Sequence, residues 1–332
     1  MITALSSWCL LSLPNVSAAD GGWRVLALEE DDIWAPGNKD RHYTHGARLD
    51  AVSTDLRGGK YLSLFDWLPL FVTDESHSRR VDFMVGQNIY TPENLVLKMP
   101  AATDRPYAGW LYIGLGIIQN TGPAQLDRFA LRLGVVGPSS GAATTQISFH
   151  TIIDAGRPKG WAYQISDEPA FDLYVERKWR ARNTLFPDFG IGVDVIPQIG
   201  LRIGNVYDYV SIGALFRLGR NLLIDYGPPH IDENLGSVVL NPEYADSNWA
   251  WYFFAGSEAR LIGRNIFLDG NLFTTSARIA RNDAVADLEA GLALIYGDLR
   301  LGYTIIYRTK EFPLQSGYDH FGSIDLGFRI SY

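Results

Sequence analysis

Residues 320–332 read HFGSIDLGFRISY. From Ile324 on, Ile324, Leu326, Phe328, Ile330 and Tyr332 alternate with Asp325, Gly327, Arg329 and Ser331. A period of two held this long is the pattern of a β-strand with one apolar and one polar face. A soluble β-sandwich carries such strands too, so the rest of the chain decides between a sandwich and a membrane wall.

Working back from that strand, similar segments recur, separated by turns rich in Gly, Asn, Asp and Pro. They are Trp23–Asp31, Tyr43–Thr54, Val81–Tyr90, Ala108–Gln119, Leu126–Val136, Ala170–Arg180, Gly190–Gly200, Asp208–Leu218, Trp249–Leu261, Ala286–Tyr296, Leu299–Tyr307 and His320–Tyr332. Helical periodicity is poor, and the segments are rich in aromatic and β-branched residues. No later stretch has the apolar length of a membrane helix, and a closed barrel is the other structure that satisfies every backbone polar group in lipid. The expectation is an all-β fold: a 12-stranded antiparallel transmembrane β-barrel, with a short helix in an extracellular loop. A thirteenth candidate, Ile266–Phe273, is assigned to an outer loop as a β-excursion beyond the rim, because bacterial outer-membrane barrels keep an even strand count. Trp110, Tyr112, Tyr303 and Tyr307 lie near strand ends and would suit the interfacial aromatic girdles.

Composition narrows the function. The 332 residues carry a net charge of −8, so no basic stripe points to nucleic acid. The single cysteine, Cys9, falls in the N-terminal leader, which excludes disulfide and thiolate chemistry from the mature chain. Residues 1–19 read as a signal peptide: Leu5 to Leu13 is apolar and Val16-Ser17-Ala18 or Ser17-Ala18-Ala19 offers a small-residue cleavage site, although no Lys or Arg precedes it. Residues 20–332 are then one barrel domain. The final apolar face, ending on Tyr332, resembles the C-terminal signature of outer-membrane barrels, which implies the outer-membrane barrel assembly machinery as a partner.

Strand parity sorts the loops. With both termini at one rim, residues 32–42, 91–107, 137–169, 201–207, 262–285 and 308–319 join strands at the other. The suspicious polar residues collect there. Glu29 to Asp32 close the first strand, and Glu29 and Asp31 should share one face while Glu30 and Asp32 share the other. Such carboxylates suit a hard cation, although a solvated acidic loop start has the same composition. Asp40, Arg41, His42 and Thr44 open the second strand; Gln87, Asn88 and Tyr90 end the third. If the segment around 143–152 is helical, Gln146 and His150 share a face. A neutral imidazole there suits a general base, and Lys98 and Arg105 suit a phosphate or sugar acid. The serines of Gly137-Pro138-Ser139-Ser140-Gly141 form no nucleophile elbow, and the chain shows no phosphate loop, dinucleotide fingerprint or HExxH zinc motif. The inner connections 55–80 and 219–248 are unusually long for this architecture.

These strings resemble a known family, the outer-membrane lipid A 3'-O-deacylases of Gram-negative bacteria (LpxR-like). The match runs in order over residues 23–180. It comprises Glu30-Asp31-Asp32, Asp40-Arg41 with Tyr43-Thr44 and Gly46, Gln87-Asn88-Ile89-Tyr90-Thr91-Pro92, Asp104-Arg105-Pro106-Tyr107-Ala108-Gly109-Trp110, Gly134-Val135-Val136-Gly137-Pro138, Gln146-Ile147-Ser148-Phe149-His150 and Gly160-Trp161 through Asp167-Glu168. The resemblance implies Ca2+-dependent hydrolysis of the 3'-linked acyloxyacyl ester of lipid A at the outer rim. His150 would activate water, Gln146, Asp31 and Thr44 would be the other active-site positions, and Lys98 and Arg105 would bind substrate. Asp31 would be the metal-linked carboxylate, with Glu30 as a second. The best-known members carry Asn where this chain has Glu30. Partners would be lipid A (lipopolysaccharide) and outer-membrane lipids. Two other readings stay open on the residues alone: an outer-membrane phospholipase or other acyl esterase, and a non-catalytic small barrel.

Overall fold

The computed structural model describes residues 22–37, 40–56, 77–231 and 249–330. The expected signal peptide with Cys9, the terminal Tyr332 and most of the two long inner connections lie outside the described residues. The strands are β1 (Trp23–Asp31), β2 (His42–Val52), β3 (Ser78–Thr91), β4 (Ala108–Thr121), β5 (Gln125–Val136), β6 (Glu168–Trp179), β7 (Ala181–Phe186), β8 (Ile191–Gly204), β9 (Tyr207–Arg220), β10 (Trp249–Asn265), β11 (Ala284–Tyr296), β12 (Leu299–Arg308) and β13 (Asp319–Ile330). Each pairs antiparallel with its neighbours. β1 pairs with β13 and β6 with β8, so the wall closes as twelve staves. β7 is the extra strand. It continues β6 past Arg180 and pairs only with the start of β8, as a hairpin projecting beyond the rim. β11 and β12 are joined by the tight Gly297-Asp298 turn, with Gly297 at φ 57°.

Alternation places each face. On β13, Leu326, Phe328 and Ile330 point out to lipid, while Phe321, Ser323, Asp325 and Gly327 are buried inside. On β4 the outward residues are Leu111, Ile113 and Leu115, which turns Trp110 and Tyr112 inward. The girdle reading of those two residues is therefore corrected: both are buried in the lumen under the guanidinium of Arg132. Tyr307 does face outward, and half-buried Tyr303 donates its hydroxyl to the Trp34 carbonyl at 2.6 Å.

Among the described residues, the lumen is lined with ion pairs. Asp172 holds Arg132 and Arg202. Asp225 accepts from Arg217, Arg300 and the Tyr252 hydroxyl. Asp225 belongs to residues 221–231, which follow β9 and rise inside the barrel, burying Leu222, Ile224, Tyr226 and Ile231. The Ile231 carbonyl accepts from Arg48, and its amide donates to Glu30 at 3.0 Å. This inward fold accounts for part of the excess length of the 219–248 connection.

The opposite mouth is closed by aromatics. Ile266–Asp269 forms one turn of helix, α2, not the β-excursion expected from its apolar run. Asn265 caps it by accepting from the Phe267 amide, and Phe267 stacks on Tyr90 with ring centroids 4.0 Å apart. Ile266, Phe267 and Leu268 are apolar because they are buried in the mouth, not because they pair as a strand, while Leu272 and Phe273 beyond them are exposed.

Candidate active site

At the rim, β1 splits its acidic run. Glu30 points into the lumen, where it accepts from the Tyr43 hydroxyl, the His230 ring and the Ile231 amide. Glu29 and Asp31 point out. Asp31 caps a single 3-10 turn, 32–34, by accepting from the Ile33 amide at 2.9 Å. Its other oxygen accepts from His45 Nδ1 at 3.0 Å.

β2 contributes two consecutive side chains to the same side. Its register with β3 skips from Tyr43 to His45, leaving Thr44 as the bulged residue. Thr44 and His45 both line the cleft, and Thr44 Oγ1 lies 2.6 Å from Thr91 Oγ1.

The opposite wall of the cleft is a helix, α1 (Ala142–Ile152), the short loop helix anticipated above. It follows two left-handed positions, Gly137 at φ 92° and Gly141 at φ 72°, which fold the chain back after β5. It lies tight on the outer wall because β4 offers Gly109 there. A Cβ on Gly109 would sit 2.2 Å from the Ala142 Cβ and 2.3 Å from the Ser140 hydroxyl. Gln87 on β3 also donates to the Ser140 carbonyl at 2.7 Å. The buried stripe of α1 is Ala142, Gln146 and His150, spaced one turn apart. Two of those three are polar, and apolar Ile152 is 81% exposed, so this helix inverts the usual arrangement.

His150 and Gln146 are held in defined orientations. His150 Nδ1 donates to the Gly156 carbonyl at 2.6 Å, which leaves Nε2 as the lone-pair nitrogen of the neutral ring. Nε2 lies 3.2 Å from Asp40 Oδ2. Gln146 Oε1 accepts from Trp161 Nε1 at 2.8 Å; its buried Nε2 has no hydrogen-bond partner among the described residues. The resulting cleft, about 190 Å³, is lined by Asp31, Asp32, Asp40, Thr44, His45, Gln146 and His150, with Ile33, Ile89, Phe149 and Ile153 as its apolar parts.

No Lys or Arg lines it, and the carboxylates respond. Burial, then Asp40 and Asp31, push the Asp32 carboxyl up to about 9. Burial raises that of Asp40, with Asp31 adding to the rise and His150 opposing it. Oxygen donors gathered without a cation suit a hard metal ion such as Ca2+. A second grouping, Glu29, Asp31 and His45, offers one ligand atom each within 4.8 Å of one another, and its imidazole would suit a softer metal. Asp31 belongs to both.

The structure thus brings Asp31, Thr44, Gln146 and His150 around one cleft. Lys98 is exposed on the neighbouring 92–107 loop, which packs on the chain after α1 through Leu95 and Lys159. Arg105 is fully buried, donating to Glu311 at 2.7 Å beneath Tyr90. Sequence reading singled out neither His45 nor the role of Asp40. Asp40 sits at φ 23°, and only its acidic residue type beside the Arg41-Tyr43-Thr44 string marked it.

A family model described as outer membrane protein LpxR matches residues 5–330. The fold is similar to that of LpxR from Salmonella typhimurium, with TM-score 0.74 and 20% identity over 92% of this chain and 99% of that one. The β-domain of the Bordetella autotransporter BrkA has TM-score 0.43 and 11% identity, covering 95% of this chain and 100% of that one. No curated protein matches the sequence.

Proposed function

Because the chain belongs to the LpxR family of outer-membrane proteins, we propose that its rim cleft is the active site of a lipid A deacylase that hydrolyses the 3'-linked acyloxyacyl ester. The observation that carries this reading is the orientation of His150. Its Nδ1 proton is committed to a backbone carbonyl, and its Nε2 lone pair faces a cleft on the lipid side of the wall. In outer-membrane barrels the termini face the periplasm, so this rim lies outside, level with the outer leaflet where lipid A resides.

His150 Nε2 takes a proton from water as its oxygen attacks the acyl carbonyl. Asp40 stabilises the imidazolium that results. Gln146 Nε2, buried and without another acceptor among the described residues, is placed to donate to the oxyanion of the tetrahedral intermediate. The intermediate collapses with cleavage of the bond between the acyl carbon and the sugar oxygen, and His150 returns its proton to that leaving oxygen. Asp31 and Asp32 would hold Ca2+, and Thr44 lies on the cleft floor beside them. When bound, the cation supplies Lewis-acid polarisation of the acyl carbonyl. Lys98 is the exposed cation we assign to the lipid's phosphate; Arg105, paired to Glu311, braces the rim instead. Among the described residues, the lumen is crowded with buried charged and aromatic side chains, which favours an enzyme over a pore, and β13 presents the outward apolar face that assembly as an outer-membrane barrel needs.

Mass spectrometry of lipid A from cells expressing the wild type or His150→Ala tests this. The wild type should remove one acyloxyacyl unit from the 3' position. The variant should lose that activity by about a thousandfold or more while keeping heat-modifiable migration. Unchanged lipid A alongside accumulating lysophospholipid would make the protein a phospholipase, and full activity in His150→Ala would remove the assigned base.

A further inference from the structure

Below the cleft, the lipid-facing wall is not uniformly bulky. Strand register stacks the outward residues of β13, β1, β2 and β3 in rows. Just under Asp31 and His45 the row is Ile324, Glu29, Ala47, Gln87; the next is Leu326, Ala27, Leu49, Val85. The two alanines are diagonal neighbours. Ile324 and Leu326 flank them on one side, Leu49 and Val85 on the other, and the result is a groove of about 480 Å³.

We propose that this groove seats the acyl chain of the ester being cleaved and so sets the register of its carbonyl in the cleft. The proposal rests on the esterase reading above. Three observations carry it. First, His45 lines both the cleft and the groove, so the two adjoin. Second, the polarity runs as an acyl ester requires, with Glu29 and His45 at the head and apolar outward side chains below; Arg48, the one other charged residue along the groove, turns its guanidinium into the lumen toward Asp50 and the Ile231 carbonyl. Third, Ala27 lies four residue steps along β1 from Asp31, roughly 13 Å of wall, directed toward the middle of the bilayer.

Moving a fatty chain from lipid tails onto this wall gains no hydrophobic energy, since both surroundings are apolar. What the groove supplies is shape. Two small side chains let a chain lie flush where leucines would hold it off the wall, and displacement of a reacting carbonyl by about 1 Å can cost a hundredfold in rate. The groove therefore acts on kcat more than on affinity.

The test uses full-length protein in detergent micelles and two synthetic glucosamine esters, a myristate and a butyrate too short to reach the groove. Ala27→Leu and Ala47→Leu should lower the ratio of myristate to butyrate kcat about tenfold or more. Ala255→Leu, an outward position on β10 far from the cleft, should leave the ratio unchanged. Heat-modifiable migration reports that each variant has folded. If the groove variants keep the wild-type ratio, or lose both activities in parallel, the groove is not an acyl seat and the esterase reading survives. A wild type that cleaves neither ester and leaves lipid A intact removes both.

Discussion

Glu30 and Asp31 are adjacent in sequence and opposite in surroundings. Glu30 faces the lumen, where Tyr43, His230 and the Ile231 amide satisfy its oxygens. Asp31 faces outward into a cleft that holds Asp32 and Asp40 and no Lys or Arg. The contrast extends to the whole molecule. Inside, Asp172, Asp194, Asp225, Asp287 and Asp325 each meet at least one arginine. A buried charge paired with an arginine is structure; carboxylates that gather with imidazoles and backbone amides as partners are candidates for a functional site. The lumen should therefore govern stability and the cleft activity, and variants on each side can pull the two apart.

The largest effect is expected in the lumen. Asp225 accepts from Arg217, Arg300, the Tyr252 hydroxyl and the Gly227 amide, and is fully buried. Asp225→Ala strips one partner from two buried guanidiniums and unpins the 221–231 segment. Removing one member of a buried pair costs about 3–5 kcal/mol. Denaturant unfolding followed by heat-modifiable migration should show a loss of that order, while the folded fraction still hydrolyses ester at close to the wild-type rate. An Asp225→Ala protein as stable as wild type would show that the lumen pairs are dispensable.

The middle effect lies in the cleft. Asp31→Asn keeps the volume and the acceptor for the Ile33 amide, so stability should change by less than about 1 kcal/mol. It removes a charge from the assigned cation site, and activity should fall at least a hundredfold. EDTA should inhibit the wild type and Ca2+ should restore it. Restoration by Zn2+ alone would favour the Glu29, Asp31 and His45 grouping over the oxygen-only one.

How much of this was legible in the sequence follows from how each feature is encoded. The twelve staves come from period-two alternation, which is written in every strand. The shared facing of Glu29 and Asp31 follows from the same alternation, and the shared face of Gln146 and His150 from the four-residue spacing of a helix. His45 escaped because a bulge at Thr44 breaks the alternation, and nothing in the residue types around it announces a skipped pairing. Trp110 and Tyr112 lie near a strand end, where an interfacial girdle would fall, but the outward Leu111, Ile113 and Leu115 fix the parity and turn both rings inward. The nearness of α1 to the wall depends on the missing side chain of Gly109, which only a structure reveals as a contact. Residues 221–231 read as an overlong turn because a segment that fills a lumen repeats no wall period.

The smallest effect concerns Asp32 and sharpens the contrast through pH. Its folded-state carboxyl titrates near 9, far above its ordinary value, because burial and the carboxyls of Asp40 and Asp31 disfavour its charge. A group whose folded pKa is raised stabilises the fold below its unfolded pKa, and that contribution is lost as pH climbs through the folded one. In EDTA, the midpoint of thermal unfolding should therefore fall as pH rises from about 4 toward 9. Asp32→Asn retains an acceptor for the Arg41 amide and removes the titration, so it should flatten that slope. At the alkaline end it should gain on the order of 1 kcal/mol, roughly 2 °C at this chain length. Ca2+ should flatten the wild-type slope in the same way, because a bound cation offsets the repulsion that Asp32→Asn deletes. The lumen variant Asp225→Ala should keep the wild-type slope at its lower midpoint, since it leaves the cleft carboxyls untouched. Identical slopes in the wild type and Asp32→Asn would mean that the cleft carboxyls do not repel one another in the folded protein, and the distinction between the two sides of β1 would rest on geometry alone.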